Sequence, residues 1–140
     1  MPSFPILMHT ALDATDCREL AEFYRAFLGL RYRPGDESPP DDGSVDDADW
    51  LVLVDESGQR VLAFNQVASL GRATWPTDEV PKQVHHDFRV SSVAELEEQR
   101  RRAEELGAAL LYDRSDDEDE PLYVLADPAG HPFCILVSGR

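Results

Sequence analysis

Side chains able to bind a metal or move a proton fall at short spacings within alternating segments of this sequence. His85 and Asp87 are separated by one residue, and His9 lies in a similar segment near the start. Cys134 lies in an alternating segment near the end. Imidazole nitrogen, carboxylate oxygen and thiolate sulfur are zinc ligands, and the same groups can hydrogen-bond an organic molecule. These residue types therefore predict either a metal site or a polar binding site.

Other reactive groups suit structural roles better. His86 follows His85 directly, but adjacent residues of a strand point to opposite faces, which disfavours a paired ligand set. His131 falls in a turn signal, and Cys17 stands at a helix start with no evident partner base. The sequence lacks the motifs of a Ser-His-Asp triad, a phosphate-binding glycine loop or a zinc knuckle.

An internal repeat positions the candidate residues. A shift of 76 residues carries the segment at His9 onto the segment at His85, and a shift of 72 carries the segment at Trp50 onto that at Leu122. Both copies of the second segment contain Asp-x-x-Gly, which is typical of a β-hairpin turn. A helical pattern ending in Leu-Gly precedes each hairpin, and glycine can supply its left-handed cap. The sequence therefore predicts two strand–helix–strand–strand–strand (βαβββ) modules.

The predicted modules span about residues 4–68 and 83–138, joined by a connector at about 69–82. We expect an α+β fold and one domain over residues 1–140, with the modules forming a curved mixed sheet around a cleft. The predicted helices are residues 17–28 and 93–106. Their inward-facing side chains are expected to be Leu20, Phe23, Tyr24 and Phe27 in the first helix, and Leu96, Ala103 and Leu106 in the second.

Composition limits the class of protein. The 140 residues are 42% hydrophobic, which is enough for one domain with a sizeable core. The net charge of −15 repels nucleic acid and anionic membranes, so neither is an expected partner. With two distant cysteines and no signal-peptide or membrane-span pattern, we expect a cytoplasmic protein. The acidic stretches at 36–49 and 116–120 indicate solvated loops.

Several motifs occur in the order found in a known superfamily. They are the segment 16–30, with Phe23-Tyr24 and Leu28-Gly29-Leu30, and the closing segment 125–134, with Asp-Pro-x-Gly-His. With the doubled βαβββ order, this chain resembles the vicinal oxygen chelate superfamily of glyoxalase I, bleomycin-resistance proteins and extradiol dioxygenases. The His85-x-Asp87-Phe88 segment with a cysteine in the last strand is similar to a glyoxalase-like subgroup common in actinobacteria.

The resemblance implies a metal ligand in the first strand and in the last strand of each module. These positions fall on His9 and His85, and on Leu62 and Cys134, so the usual carboxylates are missing. One interpretation is a zinc site of His9, His85 and Cys134, with Asp87 as a fourth or substitute ligand. The others are a metal-free cleft whose histidines hydrogen-bond an organic ligand, and structural histidines beside a buried thiol.

We therefore expect a glyoxalase-like protein that binds a small organic molecule in the cleft between its modules, without the family's usual metal site. The alternatives are a zinc-dependent lyase, isomerase or dioxygenase, and an antibiotic-sequestering protein. No cofactor is expected, and zinc is the metal that the donors suit best. Whether the chain is an enzyme stays open, as does the choice between a monomer and a homodimer. The expected cleft residues are His9, Ala11, Trp50, Leu62, His85, Asp87 and Cys134.

Overall fold

A computed structural model describes residues 4–138 of the chain. They divide into two compact units, with the boundary between Leu70 and Gly71. Each unit has the element order β-α-β-β-β, which confirms the predicted α+β class and the repeat. The first unit contains β1 (Thr10–Ala14), α1 (Cys17–Leu28), β2 (Arg31–Tyr32), β3 (Trp50–Val54) and β4 (Arg60–Gln66). The second contains β5 (His86–Val90), α2 (Val93–Glu105), β6 (Ala109–Arg114), β7 (Leu122–Ala126) and β8 (Pro132–Val137).

Each unit forms its own four-stranded mixed sheet. The strand order is β1-β4-β3-β2 in the first sheet and β5-β8-β7-β6 in the second. In both, the first strand pairs in parallel with the last, and the remaining pairs are antiparallel. The helix supplies the connection out of the first strand, while hairpins join the later strands. Among residues 4–138, no helix has the length and apolarity needed to cross a bilayer.

Helix α1 follows local signals closely. The side chain of Asp16 accepts a hydrogen bond from the backbone N–H of Glu19, which caps the first turn. Gly29 ends the helix with φ of 68°, a left-handed conformation that favours glycine. The buried stripe contains the four side chains predicted from spacing, namely Leu20, Phe23, Tyr24 and Phe27.

Helix α2 buries less of its surface than the sequence predicts. Ser92 caps its start by accepting from the N–H of Glu95, and Leu96 and Ala103 are buried as expected. Leu106, however, is 37% exposed, so its predicted inward position is wrong. The helix ends at Glu105, which leaves Leu106 at the cap, beyond the packed face.

The first sheet contains one residue more in β4 than the repeat predicts. Leu53 pairs with Leu62, but the next residue of β3, Val54, pairs with Arg60. Val61 is therefore the extra residue of a β-bulge. Beyond such a bulge, the side chains of the strand change face relative to a regular ladder.

The second sheet has no such irregularity between β7 and β8, and this changes how the two units correspond. Leu125 pairs directly with Phe133, as Leu53 pairs with Leu62. Leu62 is thus the counterpart of Phe133, and Ala63 is the counterpart of Cys134. The predicted match of Leu62 with Cys134 is wrong because the bulge moves the register by one residue.

Candidate functional site

The second sheet separates its side chains into a face covered by α2 and an opposite face. Tyr123 of β7 lies on the α2 side, because its hydroxyl donates a hydrogen bond of 2.5 Å to Glu97 of α2. Its ladder partner Ile135 therefore shares that side. Cys134 alternates with Ile135 and takes the opposite side, which we call the α2-distal face.

Asp87 and Cys134 are direct neighbours on the α2-distal face. They are register partners in the parallel pair of β5 and β8, so their side chains project together. His85 precedes β5 and lies on the same side. Its Nε2 is 3.5 Å from Oδ1 of Asp87, and its Nδ1 is 3.4 Å from Nζ of Lys82. The side chains of His85, Asp87 and Cys134 therefore lie close together on the α2-distal face of β5 and β8.

His85, Asp87 and Cys134 form a group that could hold a metal ion. Each offers one ligand atom, and these three atoms all lie within 4.8 Å of one another. The atoms of a tetrahedral zinc site are closer together, about 3.3–3.8 Å for bonds of 2.0–2.3 Å. Because His85 and Asp87 are exposed, small rotations of their side chains can bring the donors closer. The nitrogen, oxygen and sulfur donors fit zinc better than they fit manganese or iron.

The thiol of Cys134 is held in its neutral form. Burial, and then the charge and hydrogen bond of Asp87, raise its pKa to about 11. A thiolate is the reactive and metal-binding form, so at neutral pH Cys134 is a poor nucleophile unless a cation displaces its proton.

His86 does not join this group. It pairs with Phe133 on the α2 side and lies 6.1 Å from the ring of Phe88, centroid to centroid. Burial lowers its pKa, which favours a neutral imidazole. This placement agrees with the opposite-face prediction for adjacent strand residues.

The first unit places a different set of residues at the matching edge. The rings of His9 and Trp50 are 5.8 Å apart, and Nδ1 of His9 is buried without a hydrogen-bond partner among residues 4–138. Ala11 is exposed and pairs with Ala63, where the second unit has Asp87 and Cys134. The first unit therefore has one imidazole and no neighbouring acid or thiol at these ladder positions.

Leu62 does not belong to an open site. Leu62 is 3% exposed and pairs with Thr10 of β1. Its side chain therefore lies on the same face of the sheet as that of Leu12, which is buried in the core. The expectation that Leu62 lines a ligand cleft is therefore corrected, for the same reason as its register. His9 and His85 belong to different units, and a shared metal site for them stays a prediction.

Cys17 has the structural environment expected of it. Its thiol donates to the backbone carbonyl of Ala48 at 3.4 Å, and its N–H donates to the side chain of Gln66 at 2.9 Å. Burial, reinforced by the charge of Asp46, raises the pKa of the thiol. These contacts outweigh the effect of the helix start and leave an unreactive thiol.

A cavity of about 570 Å³ opens on the α2-distal face beside the three-residue group. Sequence reasoning identified Asp87 and Cys134 but did not assign the other residues to a site. Strand alternation could have identified Arg89 and Leu136, which share a face with them. No periodic signal could have identified Glu120, because it lies in the acidic loop. The lining residues are Asp87, Arg89, Glu120, Leu122, Cys134, Leu136 and Ser138.

A family model described as a glyoxalase-like domain matches residues 9–136, which is nearly the whole chain. The chain belongs to this glyoxalase-like family. Solved structures described as glyoxalase/bleomycin resistance proteins are similar to this chain in fold. No curated protein matches the chain.

The glyoxalase-like chain is similar in fold to several solved structures of low sequence identity. A glyoxalase/bleomycin resistance protein/dioxygenase family enzyme from Burkholderia phytofirmans PsJN has a TM-score of 0.62 at 16% identity, covering 93% of this chain and 96% of that one. A hypothetical protein from S. aureus has a TM-score of 0.63 at 17% identity, covering 95% and 97%.

A fosfomycin resistance protein from Listeria monocytogenes, FosX, is a further structural neighbour. A mutant of FosX, complexed with Mn(II) and 1S,2S-dihydroxypropylphosphonic acid, has a TM-score of 0.64 at 17% identity, covering 99% of this chain and 94% of that one. At sequence identities this low, the structural similarity shows a common fold and nothing about function. The chemistry of the glyoxalase-like chain therefore has to be argued from its own residues.

Proposed function

We propose that this glyoxalase-like domain binds a small organic molecule in the cavity on the α2-distal face of its second sheet. The observation that supports this proposal is the cavity itself. Its volume of about 570 Å³ is suited to a small ligand, and its walls combine apolar and charged side chains. The proposed function thus belongs to one unit and uses residues of β5, β7 and β8 and the loop before β7.

The chemistry of these walls favours binding over nucleophilic catalysis. Cys134 carries the thiol of the cavity, and its high pKa keeps that thiol protonated at neutral pH. The carboxylate of Asp87 lies 3.5 Å from Nε2 of His85 and can also contact a ligand. Leu122 and Leu136 supply an apolar floor between the charged groups. Such a surface can orient a ligand through a few polar contacts.

Protein-observed NMR with a library of small molecules tests this proposal. Ligands should shift the amide signals of Cys134 and Leu136 and leave those of α1 in place. Leu136→Trp should fill the cavity and weaken binding by at least about tenfold, whereas Tyr112→Trp on β6, outside the cavity lining, should not. If no ligand in the library shifts these signals, or if Leu136→Trp binds as well as the unmodified protein, the proposal fails.

A zinc-dependent activity is a second candidate, and the grouping of His85, Asp87 and Cys134 favours it. Three protein ligands leave a position for water or a substrate oxygen, which is the arrangement of catalytic zinc sites. Zinc would supply Lewis-acid activation of that oxygen. The cavity beside the three residues would then hold the remainder of the substrate.

Metal content distinguishes the two candidates. If binding without metal is the function, protein purified without a metal-affinity column should lack stoichiometric metal and glyoxalase I activity. If the zinc candidate holds, cobalt(II) should give a thiolate-to-cobalt charge-transfer band that disappears in Cys134→Ser. Zinc affinity should then fall more than about 100-fold in Asp87→Ala, since even outer-shell changes cost about 10–100-fold.

Matched substitutions in the first unit control for nonspecific metal binding. Ala11 and Ala63 occupy the ladder positions of Asp87 and Cys134, so Ala11→Ser should leave the cobalt spectrum unchanged. Submicromolar zinc binding that survives both Cys134→Ser and Asp87→Ala would contradict this assignment of the ligands.

A further inference from the structure

Arg89 is a cation that has no partner among the described residues of a strongly acidic chain. Its side chain is exposed on the α2-distal face and lines the cavity. Among residues 4–138 it takes part in no ion pair and no side-chain hydrogen bond, although the chain has 28 acidic residues. An arginine fork is well suited to a carboxylate. The cavity therefore contains an unused site for an anionic group.

Arg114 is a matched comparison for Arg89, because it has an acidic partner. The ladder β5-β8-β7-β6 places Arg89, Leu136, Leu122 and Arg114 in one row across the sheet. At the far end of that row, Arg114 pairs with Asp117 at 2.7 Å. Two arginines thus share a row and a face, and only Arg89 lines the cavity.

The cavity also contains two carboxylates, which limits what can bind to Arg89. Asp87 lies two residues before Arg89 on the same face of β5, about 6.6 Å away along the strand. Glu120 contributes a second negative charge from the loop before β7. A ligand with only a negative group would meet Arg89 but would also face these two acids. A ligand with only a positive group would meet the acids but would face Arg89.

We propose that the cavity binds a small zwitterion, which carries one carboxylate and one ammonium group on a short apolar skeleton. The carboxylate pairs with Arg89, the ammonium lies toward Asp87 and Glu120, and the skeleton covers Leu122 and Leu136. The inference rests on the proposed small-molecule function and narrows its ligand to this class. A zwitterion has no net charge, so the long-range field of a chain with net charge −15 does not repel it.

Three related compounds test the need for both charges. L-Leucine carries a carboxylate and an ammonium, 4-methylpentanoate carries only the carboxylate, and 3-methylbutylamine carries only the ammonium. Binding is measured by NMR titration of the Leu136 and Cys134 amides. We expect leucine to bind at least about tenfold more tightly than either analogue, since a hydrogen-bonded charge contributes about that factor or more.

Arg89 and Arg114 give the matched variants. Arg89→Ala should weaken leucine binding by about tenfold or more, and Arg89→Lys should retain part of it. Arg114→Ala removes the same charge from the same row and should leave the affinity within about twofold. Retained dispersion in the NMR spectrum of Arg89→Ala shows that the variant is folded, which is expected for an exposed side chain.

Failure of this inference differs from failure of the proposed function. If an analogue binds as tightly as leucine, or if Arg89→Ala has no effect, the zwitterion inference is overturned while binding in the cavity stands. The zwitterion inference is also overturned, and cavity binding also stands, if the Leu136 and Cys134 amides shift only with anionic, cationic or uncharged molecules. If no molecule of any class shifts them, both are overturned.

Discussion

Asp127 and Asp55 occupy the same position of the same hairpin turn in the two units, in different surroundings. Each accepts hydrogen bonds from backbone N–H groups two and four residues later, at Ala129 and His131 for one and at Ser57 and Gln59 for the other. Asp127 is 1% exposed, whereas Asp55 is partly open to solvent. At the scale of single residues, the repeat therefore contains the same contact between a carboxylate and backbone N–H groups twice, once buried and once more exposed.

Asp127→Ala should destabilise the protein by about 1–3 kcal/mol, because it removes a buried carboxylate that accepts from two partly buried backbone N–H groups of the turn. Asp55→Ala removes the same acceptor, but water can replace it, so a smaller loss is expected. Denaturant unfolding of the two variants measures the difference. Equal losses would mean that burial does not decide the strength of this turn contact.

At the scale of elements, the helices contribute unequally to the two units. Helix α1 buries a continuous aromatic and aliphatic stripe, in which the rings of Phe23 and Phe27 lie 5.6 Å apart. Helix α2 has two buried side chains, Leu96 and Ala103, and its exposed surface is rich in arginine and glutamate. Surface ion pairs of that kind contribute little to stability. We therefore expect α1 to be the more strongly held helix.

Phe27→Ala should cost about 3–5 kcal/mol, since the side chain is 8% exposed and its removal leaves a cavity against the sheet. Leu106→Ala, at the exposed end of α2, is the control and should cost less than about 1 kcal/mol. Both values come from denaturant unfolding monitored by circular dichroism. A loss below about 1 kcal/mol for Phe27→Ala would place that ring on the surface and contradict the packing of α1.

The elements also show which features a sequence can reveal. The bounds of α1 could be predicted because its apolar spacing, the Asp16 cap and the Gly29 stop are all local. The bulge at Val61 could not, because it is defined by pairing with β3, and local sequence carries no signal for it. One bulged residue is enough to move Leu62 to the opposite face from the predicted one.

The candidate site, like the fold, could be predicted from the sequence only as far as local patterns reach. Strand alternation is enough to place Asp87 and Arg89 on one face of β5, and Cys134 on one face of β8. Which of these residues meet depends on the register between the two strands, which pairs Asp87 with Cys134. The contribution of Glu120 depends on the path of a loop. Residue types thus indicated the chemistry, while nonlocal pairing determined the neighbours.

At the scale of the whole molecule, negative charge is the dominant feature. The chain has 28 acidic and 13 basic residues, and its isoelectric point is about 4.4. A net charge of −15 at pH 7 destabilises a compact state through self-repulsion. Some carboxylates oppose this trend: hydrogen bonds from Arg25 and from Arg18 lower the pKa of Glu22 and of Asp46 respectively.

These two effects predict a stability maximum at mildly acidic pH. As the pH falls from 7 toward the isoelectric point of about 4.4, the net negative charge and its repulsion decrease, so the melting temperature should rise. Carboxylates with a lowered folded-state pKa stabilise the fold above their unfolded pKa of about 4, and that contribution is lost as the pH falls further. Below about pH 4 the melting temperature should therefore fall.

The salt dependence of the melting temperature distinguishes the effect of charge repulsion from that of the paired carboxylates. Raising ionic strength from about 0.01 M to 0.15 M shortens the screening length from about 30 Å to 8 Å. At pH 7 this should raise the melting temperature, because the net charge is large and spread over the surface. Near pH 4.5, close to the isoelectric point, the same salt should have little effect. A melting temperature that is equally salt-dependent at both pH values, or that is highest at pH 7 in low salt, would show that self-repulsion does not limit the stability of this protein.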